Sequence, residues 1–314
     1  MQEWANIDIK ERVRIYTNGF SRVDEVVPKT TLLTAQHGKD RFDKCLIMSV
    51  GQHVLSDFMP LKPNYWKPNI QKEVSKKYKD KYFSLIYGDD TITYNGLPTL
   101  SKVRILREPQ KRVLMKFNAA RHWSNVECVR KLRNLDGFIK KKPIVHWRGN
   151  TTRDKQRSIA VSKYFDNELC DIAFSKVCQN FKLDKPEHCK NKTQTIQEML
   201  MNRYLLSIDG NDKASDINWK LACDSLVFMS SPKYESWLME SRLKPWVHYV
   251  PLEYDYSDLI DKYKWAESNP VKCIEIIKNA NLFMDSNFGN IKKEKNIERL
   301  VLKYYYDNVN ITLE

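Results

Sequence analysis

The segment RYLLSIDGNDKASDINWKLACDSLVFM, residues 203–229, carries the strongest signal of the fold class of this chain. It begins with a short apolar run that ends in Asp209 and Gly210, a pattern typical of a buried strand that stops at a turn. Residues able to cap a helix follow, and apolar side chains then recur at helical spacing over 217–222. The apolar run 225–229 predicts a second buried strand. Because strands that alternate with helices of this length pair in parallel, the sequence predicts an α/β fold.

Neighbouring segments extend this unit in both directions. After a Ser-Ser-Pro turn, residues 234–243 predict a helix, and residues 247–252 predict a third strand. Upstream, the segment PIVHWRGNTTRDKQRSIAVSKYF begins with a strand at 144–147 and continues into a helix that carries Arg157. Open parallel sheets bind ligands beyond the carboxyl ends of their strands, so polar groups after these strands are candidates for a binding site.

The composition is that of a globular protein large enough for two ordinary domains. The chain has 314 residues, of which 42% are hydrophobic. No apolar run reaches the length that crosses a bilayer, and the start, MQEWANIDIKERVRIY, lacks the apolar centre of a secretory signal. A cytoplasmic location is therefore predicted. A turn and a charge run at 134–143 mark a seam between domains.

The charge balance favours an anionic partner. The 53 Lys and Arg residues exceed the 39 Asp and Glu residues, which gives a formal net charge of +14. The densest basic runs, 72–82 and 139–143, lack regularly interleaved aromatic residues and any groove-reading module, so no nucleic-acid partner is expected. A nucleotide-sugar diphosphate explains the same excess, as does an anionic glycan or lipid, which leaves peripheral contact with a membrane surface open.

The cysteines predict reduced thiols rather than a disulfide framework. There are seven of them, an odd number, and none forms a C-x-x-C pair. Cys178, His188 and Cys189 are close in sequence, but their spacing fits no usual zinc pattern, so no metal site is predicted there.

Groups suited to a diphosphate follow the strand at 144–147. Arg148 and Gly149 stand at its carboxyl end, Thr151 comes next, and Arg157 lies on the following helix. A diphosphate is bound by such a combination of guanidinium, hydroxyl and backbone N–H groups. Taken alone, the segment favours a surface turn with a salt-bridging arginine.

Taken together, the segments resemble glycosyltransferase family 90, which includes the protein O-glucosyltransferases and the capsule-associated xylosyltransferases. The motifs that carry the resemblance are Trp147-Arg148-Gly149 with Arg157, Asp209-Gly210 with Ala214 and Ser215, the strand 225–228, and LKPWVHYVP at 243–251. The resemblance covers residues 143 to about 285. The segments ESWLME and DGNDKAS look more like the short bacterial and viral lipopolysaccharide-type members.

The resemblance implies a GT-B architecture, in which two Rossmann-like domains face each other across a cleft. Residues 1–142 would form an N-terminal acceptor-side domain, and residues 143–285 would form the C-terminal domain that binds the nucleotide-sugar. The last helix of such enzymes returns to the first domain. Residues 286–314, with a helix at 296–307, would take that role.

The resemblance also implies an inverting glycosyltransferase that moves xylose or glucose from UDP-xylose or UDP-glucose to a hydroxyl of an oligosaccharide or other glycan. It implies no metal and no cofactor besides the UDP-sugar co-substrate. The family's general base is an Asp after an apolar strand in the N-terminal half. The segment KYFSLIYGDDT supplies Asp90 as the predicted base and Asp89 as a close second.

The chemistry of the residues and the family pattern together predict the donor-binding positions. They are Arg148, Gly149, Thr151, Arg157, Asp209, Gly210, Ala214, Ser215 and Glu235. Glu235 would accept hydrogen bonds from the ribose hydroxyls, although a favourable charge at a helix N-terminus explains it nearly as well. The eukaryotic enzymes carry a diphosphate-binding Arg where this chain has Ile217, and Lys213 or Lys220 would replace its charge.

Three alternatives stay open. Asp89 and Asp90 also fit the metal-binding carboxylates of a GT-A enzyme, and an Asp pair after Gly is by itself a turn signal. His122 has a suitable intrinsic pKa for a base, but a partly buried structural histidine explains it better. The chain could also be a non-catalytic basic protein that binds nucleic acid or glycan.

Overall fold

The computed structural model describes residues 4–27, 45–49, 77–78, 81–86, 98–107, 111–117 and 119–313. The chain divides into two compact units. Unit 1 comprises Met1–Ala5, His122–Pro232 and Ser241–Asn287. Unit 2 comprises Asn6–Arg121, Lys233–Glu240 and Phe288–Glu314. Across the described ranges, every helix is too short or too polar to traverse a bilayer.

Elements are numbered along the described residues. The α-helices are α1 (Ile9–Thr17), α2 (Ala119–His122), α3 (Ser124–Leu132), α4 (Gln156–Tyr164), α5 (Ile196–Leu200), α6 (Ile217–Lys220), α7 (Leu259–Ser268), α8 (Pro270–Phe288) and α9 (Ile291–Asn308). The strands are β1 (Val23–Val27), β2 (Cys45–Ser49), β3 (Tyr82–Ile86), β4 (Thr99–Ser101), β5 (Val103–Ile105), β6 (Arg112–Leu114), β7 (Lys142–Asn150), β8 (Cys170–Lys176), β9 (Asn202–Ser207), β10 (Leu226–Ser230), β11 (Tyr234–Ser236), β12 (Val250–Leu252) and β13 (Val309–Leu313). Short 3-10 turns lie at Leu135–Lys140, Pro186–His188 and Glu240–Arg242.

Unit 1 is built on a five-stranded parallel sheet. Its strand order is β12-β10-β9-β7-β8, and every neighbouring pair is parallel. Counted along the chain this is the order 2-1-3-4-5 of doubly wound sheets, in which the chain reverses direction across the sheet after its second strand. The predicted α/β class with parallel strands is confirmed.

The core of unit 1 follows from strands that are apolar on both faces. Val145, Leu206, Phe228 and Val250, from four different strands, are almost completely buried. A parallel sheet has both faces covered, so its strands are near-continuous hydrophobic runs rather than alternating ones. Trp147 is also buried in this core, on β7 beside the loops that follow the strands.

Among its described residues, unit 2 contains three smaller sheets. In the four-stranded sheet β2-β3-β4-β6, the β2–β3 pair is antiparallel, and the other pairs are parallel. Strands β1 and β13 pair in parallel, and β5 and β11 pair in antiparallel fashion. Since β11 and β13 come from the second half of the chain, unit 2 is assembled from segments far apart in sequence.

A buried ion cluster holds part of unit 2 together. The Glu294 carboxylate on α9 accepts hydrogen bonds from Arg12 Nη1 (2.6 Å), Trp237 Nε1 (2.8 Å) and Lys116 Nζ (3.0 Å). Tyr16 stacks on Trp237 with ring centres 4.0 Å apart. Burial alone would raise the pKa of Glu294, but the charges of Lys116 and Arg12 hold it below its usual value. The cluster joins α1, α9 and the segment around β11.

Three local predictions differ from the structure. The strand predicted at 144–147 is longer, so Arg148 and Gly149 lie within β7 rather than after it. Residues 234–243 form β11 and a 3-10 turn instead of a helix, because β11 pairs with β5, more than a hundred residues earlier. The third strand is confined to residues 250–252, since the preceding residues form a turn in which Trp246 has a φ of 62°. In that turn His248 Nδ1 accepts a hydrogen bond from the backbone N–H of Lys244 at 2.8 Å.

Candidate functional site

The candidate site in unit 1 lies at the carboxyl ends of two neighbouring strands. Strand β7 ends at Asn150 and β9 ends at Ser207, and the register between β7 and β8 shifts at Gly149. From β7 the chain continues to β8 on one side, whereas β9 lies on the other side of β7. Loops that follow two strands at such a reversal diverge, and open α/β sheets bind ligands in the crevice between them.

Arg157 joins the two loops. Its Nη1 donates to the carbonyl oxygen of Asn150 (2.8 Å), and its Nε donates to the carbonyl oxygen of Asp209 (3.2 Å). Its guanidinium carbon lies 5.6 Å from the centre of the Trp147 ring. The side chain therefore holds the loop after β7 and the loop after β9 in a defined relative position.

Gly210 lies close to this arginine. A Cβ at this position would be 3.0 Å from Arg157 Nη2 and 3.2 Å from the methyl group of Thr152, so a larger residue would displace one of them. Asp209 stabilises the same loop, since its Oδ1 accepts a hydrogen bond from the backbone N–H of Ala214 at 2.9 Å. Four predicted donor-binding residues, those at 157, 209, 210 and 214, are thus brought together.

The two predicted hydroxyl groups have different environments. The Thr151 hydroxyl is buried, donates to the carbonyl oxygen of Cys178 (2.9 Å) and accepts from the backbone N–H of the same residue (2.7 Å). It ties the loop after β7 to the loop after β8. Ser215 is half-buried in the turn that immediately precedes α6, in the loop that carries Gly210.

Arg148 lies in a partly buried ion pair on the sheet, in which the Asp171 side chain is 36% exposed. Its guanidinium bonds to the carboxylate of Asp171 on β8 and donates to the carbonyl oxygen of the same residue at 2.7 Å. His146, two residues earlier on β7, lies 3.7 Å from this carboxylate. Burial, followed by the charge of Arg148, lowers the pKa of His146. The structure thus pairs Arg148 with an internal carboxylate.

The lysines considered as replacements for the family arginine are both buried. Ile217 itself is part of the core. Lys213 Nζ donates to the side-chain oxygen of Asn218 at 2.7 Å, and Lys220 Nζ donates to the carbonyl oxygen of Leu206 at 2.7 Å. Burial lowers the pKa of Lys220. Both ammonium groups already serve internal contacts around α6.

Glu235 belongs to unit 2. It lies on β11 opposite Arg104 of β5 and is buried. Its carboxylate does not open a helix, because the predicted helix is a strand here. Glu235 and the predicted donor-binding residues of unit 1 therefore belong to different units.

The predicted general base lies outside the described residues. Strand β3 ends at Ile86, and Asp89 and Asp90 follow it in sequence. His122, the alternative base, is buried at the end of α2. Within the described ranges no three His, Cys, Asp or Glu side chains are grouped as metal ligands would be, and the Asp89-Asp90 pair is not part of those ranges.

Sequence reasoning missed a cation in this site. Arg153 follows β7, its side chain is exposed, and its backbone N–H donates to the side-chain oxygens of Gln179 (3.1 Å) and Asn211 (3.0 Å). These partners belong to the loops after β8 and β9. The basic residue was visible in the R-G-N-T-T-R string, but the contacts that place it depend on loops more than 20 residues away.

Comparisons with known proteins identify relatives of this chain. The sequence profile of Glycosyl transferase family 90 matches residues 115–301. The chain is 33% identical over 229 residues to O-glucosyltransferase LpsA of Dichelobacter nodosus, an alignment that covers 72% of this chain and 67% of that protein.

Two further relatives match shorter stretches. Protein O-glucosyltransferase 3 of Homo sapiens is 29% identical over 146 residues, which cover 46% of this chain and 28% of that protein. Uncharacterized protein 179R of Invertebrate iridescent virus 6 is 32% identical over 115 residues, which cover 35% of this chain and 10% of that protein. The chain therefore spans about two thirds of the bacterial relative and little more than a quarter of the human one.

Proposed function

Because this chain belongs to glycosyl transferase family 90, we propose that it transfers glucose or xylose from a UDP-sugar to a hydroxyl of a glycan, with inversion at the anomeric carbon. The donor would bind at the carboxyl ends of β7 and β9. The observation that carries the proposal is the joining of these two loops by Arg157 at the reversal of strand order.

The chemistry of the donor explains why these residue types are suited to it. As the anomeric carbon–oxygen bond breaks, its electron pair stays on the diphosphate, and nearby cationic and N–H groups stabilise that charge. Because Gly210 has no Cβ, the loop after β9 lies against the Arg157 guanidinium, which would supply the cationic group beside the diphosphate.

The acceptor hydroxyl needs a general base. Such a hydroxyl is too weak an acid to ionise alone, so a carboxylate takes its proton while the new bond to the sugar forms. We assign this role to Asp90, with Asp89 as the second candidate, on the family pattern and their place after the apolar strand β3. No metal step is required in this scheme.

The names of the relatives support glucose as the first donor to test. LpsA and protein O-glucosyltransferase 3 are both named as O-glucosyltransferases. Xylose differs from glucose by one hydroxymethyl group, so UDP-xylose is the second donor. The human relative is named for a protein acceptor and matches less of this chain than the bacterial relative, whose name states no acceptor, so a glycan hydroxyl is the first acceptor to test.

A donor panel with two matched variants tests the proposal. UDP release is measured from UDP-glucose, UDP-xylose, UDP-galactose and UDP-N-acetylglucosamine, with and without chelator. We expect turnover with glucose or xylose, unaffected by chelator, and a loss of about 10²- to 10⁴-fold in Asp90→Asn with UDP affinity retained. Asp89→Asn is the matched control.

Each outcome decides one part of the proposal. No UDP release from any donor would overturn the transferase function, and loss of activity in chelator would favour the metal-dependent alternative. Normal transfer by Asp90→Asn with loss in Asp89→Asn would move the base by one residue. Retention of the anomeric configuration in the product, measured by NMR, would rule out the inverting mechanism.

A further inference from the structure

Arg153 has an exposed side chain, and hydrogen bonds from its backbone N–H fix its position. Its N–H donates to Gln179 Oε1 (3.1 Å) and to Asn211 Oδ1 (3.0 Å), and Asn211 Nδ2 donates to Gln179 Oε1 at 3.2 Å. The three loops after β8, β7 and β9 therefore meet at this one peptide. Its side chain makes no ion pair or hydrogen bond with any part of the chain that the structure describes.

The loop that supplies Gln179 has an unusual backbone. Gln179 and Asn180 both have positive φ angles, 60° and 52°. A side chain in this left-handed region costs roughly 1 kcal/mol or more, and the conformation persists only when surrounding contacts hold it. Here the carboxamide of Gln179 contacts both neighbouring loops, so the conformation is coupled to the position of Arg153.

The other basic side chains considered for the diphosphate have internal partners. Arg148 pairs with Asp171, and Arg157 donates to backbone carbonyl oxygens of two loops. Lys213 and Lys220 are buried and bonded around α6. Among these five cations, Arg153 alone combines an exposed guanidinium with a backbone fixed between β7 and β9.

We propose that Arg153 binds the diphosphate of the nucleotide-sugar and takes the place of the family arginine that Ile217 replaces. The inference rests on the proposed function, since it names a donor contact of the same site. A guanidinium can form two parallel hydrogen bonds to phosphate oxygens, and charge-assisted bonds of this kind are among the strongest in proteins. Gln179 and Asn211 act as positioning residues.

Calorimetric titration with UDP, uridine and inorganic pyrophosphate tests the proposal. We expect Arg153→Ala and Arg153→Gln to weaken UDP and pyrophosphate binding by roughly 10- to 100-fold. Uridine lacks the phosphates, so its affinity should stay within about twofold. Lys142→Ala is the control, because it removes one exposed positive charge at the amino end of β7, and it should change UDP affinity by less than about twofold in physiological salt.

The ligands separate this inference from the proposed function. Unchanged UDP binding by both Arg153 variants would overturn the assignment of Arg153 alone. Pyrophosphate binding without UDP binding in the unaltered chain would overturn the nucleotide-sugar function and leave an anion site at Arg153. An equal loss of UDP and uridine affinity would indicate a structural effect and would also overturn the assignment.

Discussion

Gly149 shows at the scale of a residue why the strand motif before the site requires glycine. A Cβ at this position would lie 2.5 Å from Cζ2 of Trp147, a distance that side chains do not tolerate. Trp147 is buried in the core and contacts Phe174 edge to face, with ring centres 5.9 Å apart. The indole therefore occupies the space beside residue 149, and the Trp-Arg-Gly string is explained by packing as well as by ligand binding.

A double-mutant cycle checks this explanation. We expect Gly149→Ala to lower the free energy of unfolding by about 1 to 3 kcal/mol, because the methyl group would force the indole from its position. In a Trp147→Phe background the same change should cost at least about 1 kcal/mol less, since the clashing atoms are gone. Urea unfolding gives the free energy of unfolding of the unaltered chain, the two single variants and the double variant. Equal costs in both backgrounds would exclude the clash with Trp147 as the cause.

Local sequence predicted the position of some donor-binding residues, but it did not predict the contacts of others. Gly210 and Asp209 were predicted from a turn signal after an apolar run, and they do lie in the loop after β9. Arg148 was predicted from its place after a strand, but its ion pair with Asp171 depends on the neighbouring strand β8. Strand pairing is a long-range contact, so the partner of a charged side chain was not readable from its own segment.

Among the secondary-structure elements, helix α9 is attached to its neighbours in unit 2 through the carboxylate of Glu294. Glu294 receives hydrogen bonds from Arg12 on α1, from Lys116, and from Trp237 next to β11. Arg12 has no exposed surface, so its charge is balanced by this carboxylate and by contacts such as the Tyr16 hydroxyl (2.6 Å). Removal of one partner from such a pair leaves a buried charge without compensation.

The charge-neutralising substitution Glu294→Gln is expected to lower the free energy of unfolding by about 3 to 5 kcal/mol. The matched control is Glu275→Gln, which removes the same charge from an exposed i,i+3 pair with Lys272 on α8. That pair contributes at most about 1 kcal/mol, so the control should unfold nearly as the unaltered chain does. The free energies of unfolding are measured by urea titration followed by tryptophan fluorescence. Equal losses in the two variants would show that the buried cluster stabilises the fold no more than an exposed ion pair does.

Elements with a strong local pattern were predicted correctly. Strands β9 and β10 coincide with the apolar runs that follow residue 202, and the last helix, α9, includes the predicted span 296–307. The segment 234–243 was predicted as a helix, and this was wrong, because β5 supplies backbone partners for β11. Tertiary pairing overrides local preference where a short segment has a weak pattern.

For the molecule as a whole, two buried histidines are expected to contribute to the loss of stability in mild acid. Burial, followed by the charge of Lys244, lowers the pKa of His248 to about 4 from 6.5. Its ring packs edge to face on Trp4, with centres 4.4 Å apart, and against Phe283. The pKa of His146 is also lowered. In the unfolded chain both rings would take up protons near their ordinary pKa.

Stability should therefore fall as the pH drops from about 6.5 towards 4. Over this window the unfolded chain binds protons that the native state excludes, so each histidine removes up to about 1.4 kcal/mol per pH unit. Above pH 7 both states are neutral at these two positions, so the contribution of the two histidines to the pH dependence vanishes. Urea midpoints at pH 7, 6 and 5 measure the slope. His248→Phe should flatten it, and a slope unchanged by this substitution would show that His248 is not one of the groups responsible.

The family, the α/β class and the loops that follow β7 and β9 were predicted from local sequence, and the comparisons and the sheet confirm the first two. These features depend on local hydrophobic patterns and on motifs of a few residues, which are complete within one segment. The partners of Arg148, the inclusion of Lys233–Glu240 in unit 2 and the meeting of three loops at Arg153 became visible only in the folded chain. All three features depend on contacts between segments far apart in sequence. Charged side chains and backbone polar groups form hydrogen bonds across such distances only when the chain is folded.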